Sequence, residues 1–203
     1  MKHFEDFYSE AQQYSSILRH YNENGEIFTD PNFLPSPNYK INESSISFDE
    51  KDTVWERIDK FYTAPLFKKE AIHEDAIQQG ELGNCYFIAS LARIARQPDL
   101  VQILFDTRTQ KSSDNENSKF IDTINLKCGA VIVYFHIFGR RTPILIDTLI
   151  PFKRGTRKPR FCHPTDIKYS PWFCLVEKAY AKVNGCYSLI IGGTLSKAIY
   201  HLF

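Results

Sequence analysis

The fold is decided by the stretch Gln78-Gln79-Gly80-Glu81-Leu82-Gly83-Asn84-Cys85-Tyr86-Phe87-Ile88-Ala89-Ser90-Leu91, in which a polar loop with two glycines precedes an apolar run. The apolar residues recur at helical spacing, which predicts a helix from Cys85 to Arg96. A cysteine in the first turn of a helix lies at the positive end of the helix dipole, which favours the thiolate. Because the thiolate is the attacking form, the pattern predicts that Cys85 is a nucleophile.

The loop before the cysteine supports this interpretation. Gly80 and Gly83 let a substrate approach the backbone closely, and Gln79 can offer an amide N–H to a developing oxyanion. The alternative is a small buried cysteine in an ordinary α+β domain, which needs neither the glycines nor the glutamine.

Two motifs extend the pattern. Residues 79–87 resemble the active-site segment of calpain-type, papain-like cysteine proteases, which reads Gln-Gly-x-Leu-Gly-Asp-Cys-Trp, with Asn84 here in place of Asp and Tyr86 in place of Trp. Residues 172–187, Trp-Phe-Cys-Leu-Val-Glu-Lys-Ala-Tyr-Ala-Lys-Val-Asn-Gly-Cys-Tyr, followed by Gly192-Gly193, are similar to a second segment of that family. Val54-Trp55 gives a weaker third match.

The resemblance implies an α+β fold: a papain-like helical subdomain built on the Cys85 helix, with a small antiparallel β-hairpin. It implies that Cys85 is the nucleophile and that Gln79 forms the oxyanion hole. It also implies that Gly83 and Gly193 bind an extended peptide substrate, which pairs with backbone groups as a β-strand does.

The domain prediction divides the chain into an N-terminal helical or polar extension, 1–27, and a calpain-like nucleophile subdomain, 28–203. Residues 1–24 fit one amphipathic helix, and the proline-rich segment 29–52 is predicted to be an extended linker that Phe28 and Phe33 hold to the surface. Lys111–Lys119 is predicted to be a polar loop.

Further elements follow from apolar periodicity and turn residues. Asp99–Phe105 is predicted to be a helix, and Ala130–Phe138 a buried strand that pairs with Pro143–Leu149 across a turn at Gly139–Arg141. Ser170-Pro171 is predicted to start a helix that ends at Asn184-Gly185, and another helix should start near Thr194.

The second half of a cysteine-protease site is not evident. Such an enzyme needs a histidine as base and an Asn or Asp to orient it, about 130–150 residues after the cysteine in papain-like enzymes. Only 118 residues follow Cys85, so we expect the second subdomain to be absent and the chain to be inactive alone. His136 is predicted to be half-buried in its strand, His163 to be solvated, and His201 to lie in a frayed end.

Calcium is implied by the family, whose first subdomain binds one ion through backbone carbonyls and two acidic side chains. The resemblance puts Ala76 and Ser170 at those two positions, with Asp75 adjacent to the first. A hard cation needs carboxylate ligands, so we expect the side-chain part of this site to be lost. The sequence predicts no other metal site and no required cofactor.

Charge and cysteine content limit the remaining possibilities. The net charge of +1 does not favour nucleic acid as a partner, and no apolar run has membrane-spanning length. The five cysteines without a signal peptide favour a reducing, cytoplasmic compartment. The basic stretch 153–160 is either a solvated connector or an anion site.

These inferences converge on a functional prediction. The chain is expected to be the nucleophile half of a calpain-like cysteine-type endopeptidase acting on protein substrates, with a second subdomain supplying His and Asn. The alternative is a non-catalytic calpain-like binding or regulatory protein.

Overall fold

The main hydrophobic core is built around two helices, α2 (Cys85–Ala95) and α4 (Trp172–Asn184), whose apolar side chains belong to one buried cluster. The computed structural model describes residues 13–14, 16–34, 52–62, 69–105, 124–125 and 128–203. Phe87 of α2 stacks on Tyr180 of α4, with ring centroids 4.1 Å apart and planes 7° apart. This contact holds the helix that begins with Cys85 against α4.

The other helices are α1 (16–24), α3 (Pro98–Leu104) and α5 (Leu195–Leu202). The predicted helices α2 and α3 are confirmed to within one residue at each end. Thr194 caps α5, since its Oγ1 accepts a hydrogen bond from the Lys197 N–H at 3.3 Å. Single 3-10 turns cover Ile58–Lys60, Lys69–Ala71, Glu74–Ala76 and Tyr187–Ile190.

The strands form small antiparallel sheets, which confirms the α+β prediction. In one sheet β1 (Thr53–Arg57) pairs with β6 (Leu149–Lys153), and in another β2 (Ile77–Gln78) pairs with β7 (His163–Pro164). The third sheet contains β3 (Ile124–Asn125), β4 (Ala130–Ile137) and β5 (Arg140–Asp147) in that order.

Strand β4 is apolar on both faces because both faces are covered. Val131, Val133 and Phe135 belong to the main core, whereas Ala130, Ile132 and Tyr134 belong to a second cluster with Leu18 of α1 and Phe28. The alternation places successive side chains on opposite faces, as a strand requires.

The hairpin turn differs from its prediction. Phe138 and Gly139 have φ values of 52° and 71°, so the turn takes two residues in the left-handed region. A two-residue turn of this kind matches the twist of the flanking strands, so Arg140 and Arg141 already pair with Ile137 and His136. The predicted turn at Gly139–Arg141 was therefore placed too late.

Helix α4 also starts one residue later than its capping pattern indicates. Pro171 is the residue before the first helical turn, and Ser170 Oγ accepts a hydrogen bond from the Trp172 N–H at 3.4 Å. The predicted end is confirmed, since Gly185 follows the helix with a φ of 102°.

Two lysines of α4 are bound to acidic groups from distant segments. Lys178 is fully buried and pairs with buried Asp147 at the end of β5. Lys182 Nζ donates to Asp30 Oδ2 at 2.6 Å, and the Asp30 N–H donates to Asp147 Oδ2 at 2.8 Å. Burial lowers the pKa of Lys178, whereas the Asp147 carboxylate raises it.

Phe28 and Phe33, in the segment before β1, are both buried. They hold that segment to the surface of the fold, as predicted. The Phe28 N–H donates to the Cys128 carbonyl at 2.7 Å, and Arg57 Nη2 donates to the Phe28 carbonyl at 2.7 Å. Residues 1–12 of the predicted N-terminal helix, most of the predicted linker and the Lys111–Lys119 loop lie outside the described residues.

Candidate active site

The Cys85 thiol is exposed at the first position of α2. The carbonyl of Asn84 accepts the N–H groups of Phe87 and Ile88, at 2.9 and 3.1 Å, so the helix is fully formed from its first turn. The first N–H groups of a helix have no partner within it, and the described residues provide none for the Cys85 N–H. A thiol and an available N–H donor therefore belong to the same residue.

The loop before Cys85 is held by a close backbone contact at Gly80. A Cβ at this position would lie 2.6 Å from the Phe161 carbonyl carbon and nearer still to the carbonyl oxygens of Arg160 and Phe161. The Glu81 N–H donates to the Arg160 carbonyl at 2.9 Å, and Arg160 Nε donates to the Glu81 carboxylate at 2.8 Å. Glycine at position 80 is thus required for packing within the fold.

Gln79 is exposed, and its Nε2 donates to the Leu82 carbonyl at 2.7 Å. A primary amide has two N–H groups, so this bond orients the side chain and leaves one donor. The hydrogen bond closes residues 79–82, the first part of the loop that leads to Cys85.

The buried polar residue Asn84 connects the loop to α4. Its Nδ2 donates to Glu177 Oε1 at 2.7 Å, and Glu177 Oε2 accepts the Cys162 N–H at 3.2 Å. Asn84 makes no capping bond with its side chain, although asparagine is a favourable N-cap residue. Its amide instead fixes the residue preceding the thiol to the core.

Glu177 lies in the second motif, and no role was predicted for it from the sequence. The structure makes it the acceptor for both Asn84, in the loop before Cys85, and Cys162, which directly precedes β7. Burial raises the pKa of Glu177, and the hydrogen bonds from Asn84 and Cys162 oppose that shift. The signal in the sequence was a carboxylate inside an otherwise apolar helix, because such a group is rarely buried without partners.

The glycine segment 192–193 lies against Gly83 and Tyr86, on either side of Asn84 and Cys85. The Gly192 N–H donates to the Gly83 carbonyl at 2.9 Å. A Cβ at Gly193 would lie 2.5 Å from the Tyr86 ring, and Tyr86 Oη donates to the Ile190 carbonyl at 3.2 Å. The two predicted substrate-binding glycines are therefore brought together beside Cys85, and both are exposed.

Each described histidine either contacts a residue other than Cys85 or lies in strand β4. His73 accepts from the Asp75 N–H, His163 Nδ1 lies 2.9 Å from the Phe161 carbonyl, and His201 Nδ1 lies 3.3 Å from Tyr180 Oη. His136 is half-buried in β4, as predicted. His20 contacts Asn24 in α1.

His163 was predicted to be solvated, and this is wrong. The residue is 3% exposed, because β7 pairs with β2 and draws the histidine behind the basic stretch. Burial lowers the pKa of His163. His201 lies in the last turn of α5 with its side chain against Tyr180, and burial lowers its pKa as well.

The positions implied for calcium carry no carboxylate. Ala76 is buried, the Ser170 N–H donates to the Ala71 carbonyl at 2.9 Å, and exposed Asp75 lies beside His73. In the part of the chain that the structure describes, no three His, Cys, Asp or Glu side chains are grouped to hold a metal ion. These residues do not fit the ligand set that the resemblance implies, and calcium independence stays a prediction.

Comparison with known proteins identifies the family. A profile of the calpain family of cysteine proteases matches residues 28–202. The chain belongs to the calpain family. It is 28% identical to a calpain of Schistosoma mansoni over 189 residues, which are 93% of this chain and 23% of that protein.

Two further calpains show the same partial coverage. Calpain-A of Drosophila melanogaster is 30% identical over 192 residues, 95% of this chain and 21% of that protein. The calpain-1 catalytic subunit of Gallus gallus is 26% identical over 196 residues, 92% of this chain and 24% of that protein. The chain thus spans about a quarter of the length of the calpains it matches. Within the described residues, no helix is long and apolar enough to cross a membrane.

Proposed function

We propose that this chain is the nucleophile-bearing half of a calpain-like cysteine endopeptidase that cleaves protein substrates. The observation that carries the proposal is the exposed Cys85 thiol at the start of α2, beside a glycine surface formed by Gly83 and Gly193. Exposed glycine backbone suits an extended peptide, because it can pair with the peptide backbone without side-chain interference.

In the proposed reaction the Cys85 thiolate attacks the carbonyl carbon of the scissile peptide bond. The carbonyl π-electrons move to its oxygen, and the Cys85 N–H with the remaining N–H of Gln79 would stabilise that oxyanion. Collapse breaks the C–N bond, and the amine leaves with a proton from a general acid. Water then hydrolyses the thioester and regenerates the thiol.

The general acid is proposed to come from outside the described part of this chain. Each described histidine has another partner or lies in β4, and none is hydrogen-bonded to Cys85. We propose that a second subdomain or a partner chain supplies the histidine and its orienting Asn. Free, reduced cysteines suit an intracellular, reducing compartment.

The first test measures the nucleophile directly. Limited treatment with iodoacetamide, followed by mass spectrometry, should modify Cys85 before Cys186, because Cys85 is exposed and Cys186 is partly buried with its Sγ 2.8 Å from Ser188 Oγ. The Cys85→Ala variant should lose the fast-reacting site. Faster modification of Cys186 than of Cys85 would contradict a primed nucleophile.

The second test measures activity. The isolated chain should not cleave denatured casein, since we propose that the base comes from a second subdomain or a partner chain. Cleavage that disappears in Cys85→Ala would show that the base is in this chain and would overturn that part of the proposal.

A non-catalytic calpain-like binding protein is the alternative. It is favoured by one observation: the Gln79 amide is bonded to Leu82 within its own loop. Supplying the second subdomain of a related calpain separates the two. Restored cleavage that depends on Cys85 supports the peptidase, whereas peptide binding without cleavage supports the alternative.

A further inference from the structure

A cavity of about 370 Å³ lies beside Gln78, the residue that leads into the loop before Cys85. Gln78 of β2 lines this cavity and is directly followed by Gln79. His163, the strand partner of Gln78, lines it too, as do Arg157 and Lys158. Its volume is within the range of small-ligand sites.

The positive groups at the cavity have no described acidic partner. Arg157 and Lys158 form no ion pair with another described residue, and the ion pairs of the neighbouring Arg160 use Glu81 and Asp52. Asp166 also lines the cavity, but its Oδ1 accepts the Lys168 N–H at 2.9 Å and its Oδ2 lies 4.0 Å from Lys168 Nζ. The cavity therefore carries a net positive charge.

The basic stretch is a built turn and not a loose connector. The Lys153 N–H donates to the Lys158 carbonyl at 3.2 Å, and Thr156 donates to the Lys153 carbonyl from both its N–H and its Oγ1, at 3.0 and 2.8 Å. Gly155 allows the turn with a φ of 74°. These bonds hold the backbone of Arg157 and Lys158 at the rim.

His163 adds a polar atom without a partner at the cavity wall. Its Nδ1 is used by the Phe161 carbonyl at 2.9 Å, and its Nε2 is buried without a hydrogen bond. Because Nδ1 must carry the proton to donate to that carbonyl, Nε2 of the neutral ring is an acceptor and offers no donor to an oxyanion, so the anion is left to Arg157 and Lys158. Lys158 acts on this ring too, since its charge adds to the lowering of the His163 pKa by burial.

We propose that this cavity is an oxyanion-binding subsite that receives an acidic side chain of the peptide lying across Cys85. The proposal rests on the proposed function, because it places a peptide at Cys85 that continues past Gln79 toward Gln78 and the cavity. Arg157 offers a planar fork of donors and Lys158 a point charge, which suit a carboxylate or a phosphate group. Peptides with Glu, Asp or a phosphorylated residue at the matching position would be preferred.

Binding can be measured on the isolated chain without any catalysis. Short acetylated peptides that differ at one position, Glu, Gln or phosphoserine, and inorganic phosphate alone would be titrated into the nitrogen-15-labelled chain. We expect the Glu or phosphoserine peptide to bind about fivefold more tightly than the Gln peptide, with amide shifts in residues 157–167. Arg157→Gln and Lys158→Gln should each remove most of this preference.

Lys153→Gln is the matched control, because it removes the same charge from the same turn outside the cavity. An equal loss in this control, equal affinity for the Glu and Gln peptides, or no binding of any probe would overturn the subsite. Binding of inorganic phosphate without discrimination among the peptides would overturn the peptide assignment. None of these outcomes affects the alkylation of Cys85, so the test of the proposed function is independent of the test of this subsite.

Discussion

Replacing Gly80 by alanine should destabilise the fold through a contact between backbone segments. The added Cβ would lie within 3.0 Å of three backbone atoms of Arg160 and Phe161, a spacing that real Cβ atoms essentially never show. Carbonyl groups cannot rotate away as a flexible side chain can. Overpacking of this kind costs about 1–3 kcal/mol, and loss of the Glu81 N–H bond to Arg160 costs about 1 kcal/mol more.

The same loop offers a matched control at Gly83. A Cβ there would lie 3.4 Å from the Ile191 Cγ2, an ordinary contact, so Gly83→Ala should cost less than about 0.5 kcal/mol. Urea denaturation followed by tryptophan fluorescence should show a free energy of unfolding lower by about 2–4 kcal/mol in Gly80→Ala. Equal stability of the two variants would refute the argument that the backbone contact at residue 80 holds the loop.

Three further outcomes are expected. Burial raises the pKa of Glu177, so above pH 4.5 the folded state holds a proton that the unfolded state has lost. The free energy of unfolding of the wild type, measured in urea relative to Glu177→Gln, should therefore fall as the pH rises above 4.5. A difference that does not change with pH would contradict this. Lys178→Met leaves the buried Asp147 carboxylate without its cation and should lower the free energy of unfolding by about 3–5 kcal/mol. Adding Asp147→Asn to this variant should recover part of the loss. An equal loss in the single and double variants would count against the Lys178–Asp147 ion pair. Adding calcium should leave the thermal unfolding temperature unchanged, because a bound ion would raise it.

The elements around Cys85 were predictable because their signals are local. Apolar spacing marks α2 and α4, and Gly185 marks the end of α4 by its backbone conformation. The hairpin turn was misplaced because a phenylalanine, Phe138, takes a left-handed conformation that its residue type does not favour.

The polar contacts of the site depend on residues far apart in sequence and were not predictable in detail. Nothing near Asn84 shows that its partner is Glu177, and nothing near Gly80 shows that it packs on Phe161. His163 was misassigned for the same reason, because its burial comes from pairing between β2 and β7.

The polar face of α4 has a consequence for the order of assembly during synthesis. Glu177, Lys178 and Lys182 bind Asn84, Asp147 and Asp30, which precede them by 93, 31 and 152 residues. A nascent chain that ends before α4 therefore holds an asparagine and two aspartates that lack their partners from α4. Contacts of such long sequence separation form slowly, so α4 would join the fold late, after residues 30–147 have been synthesised.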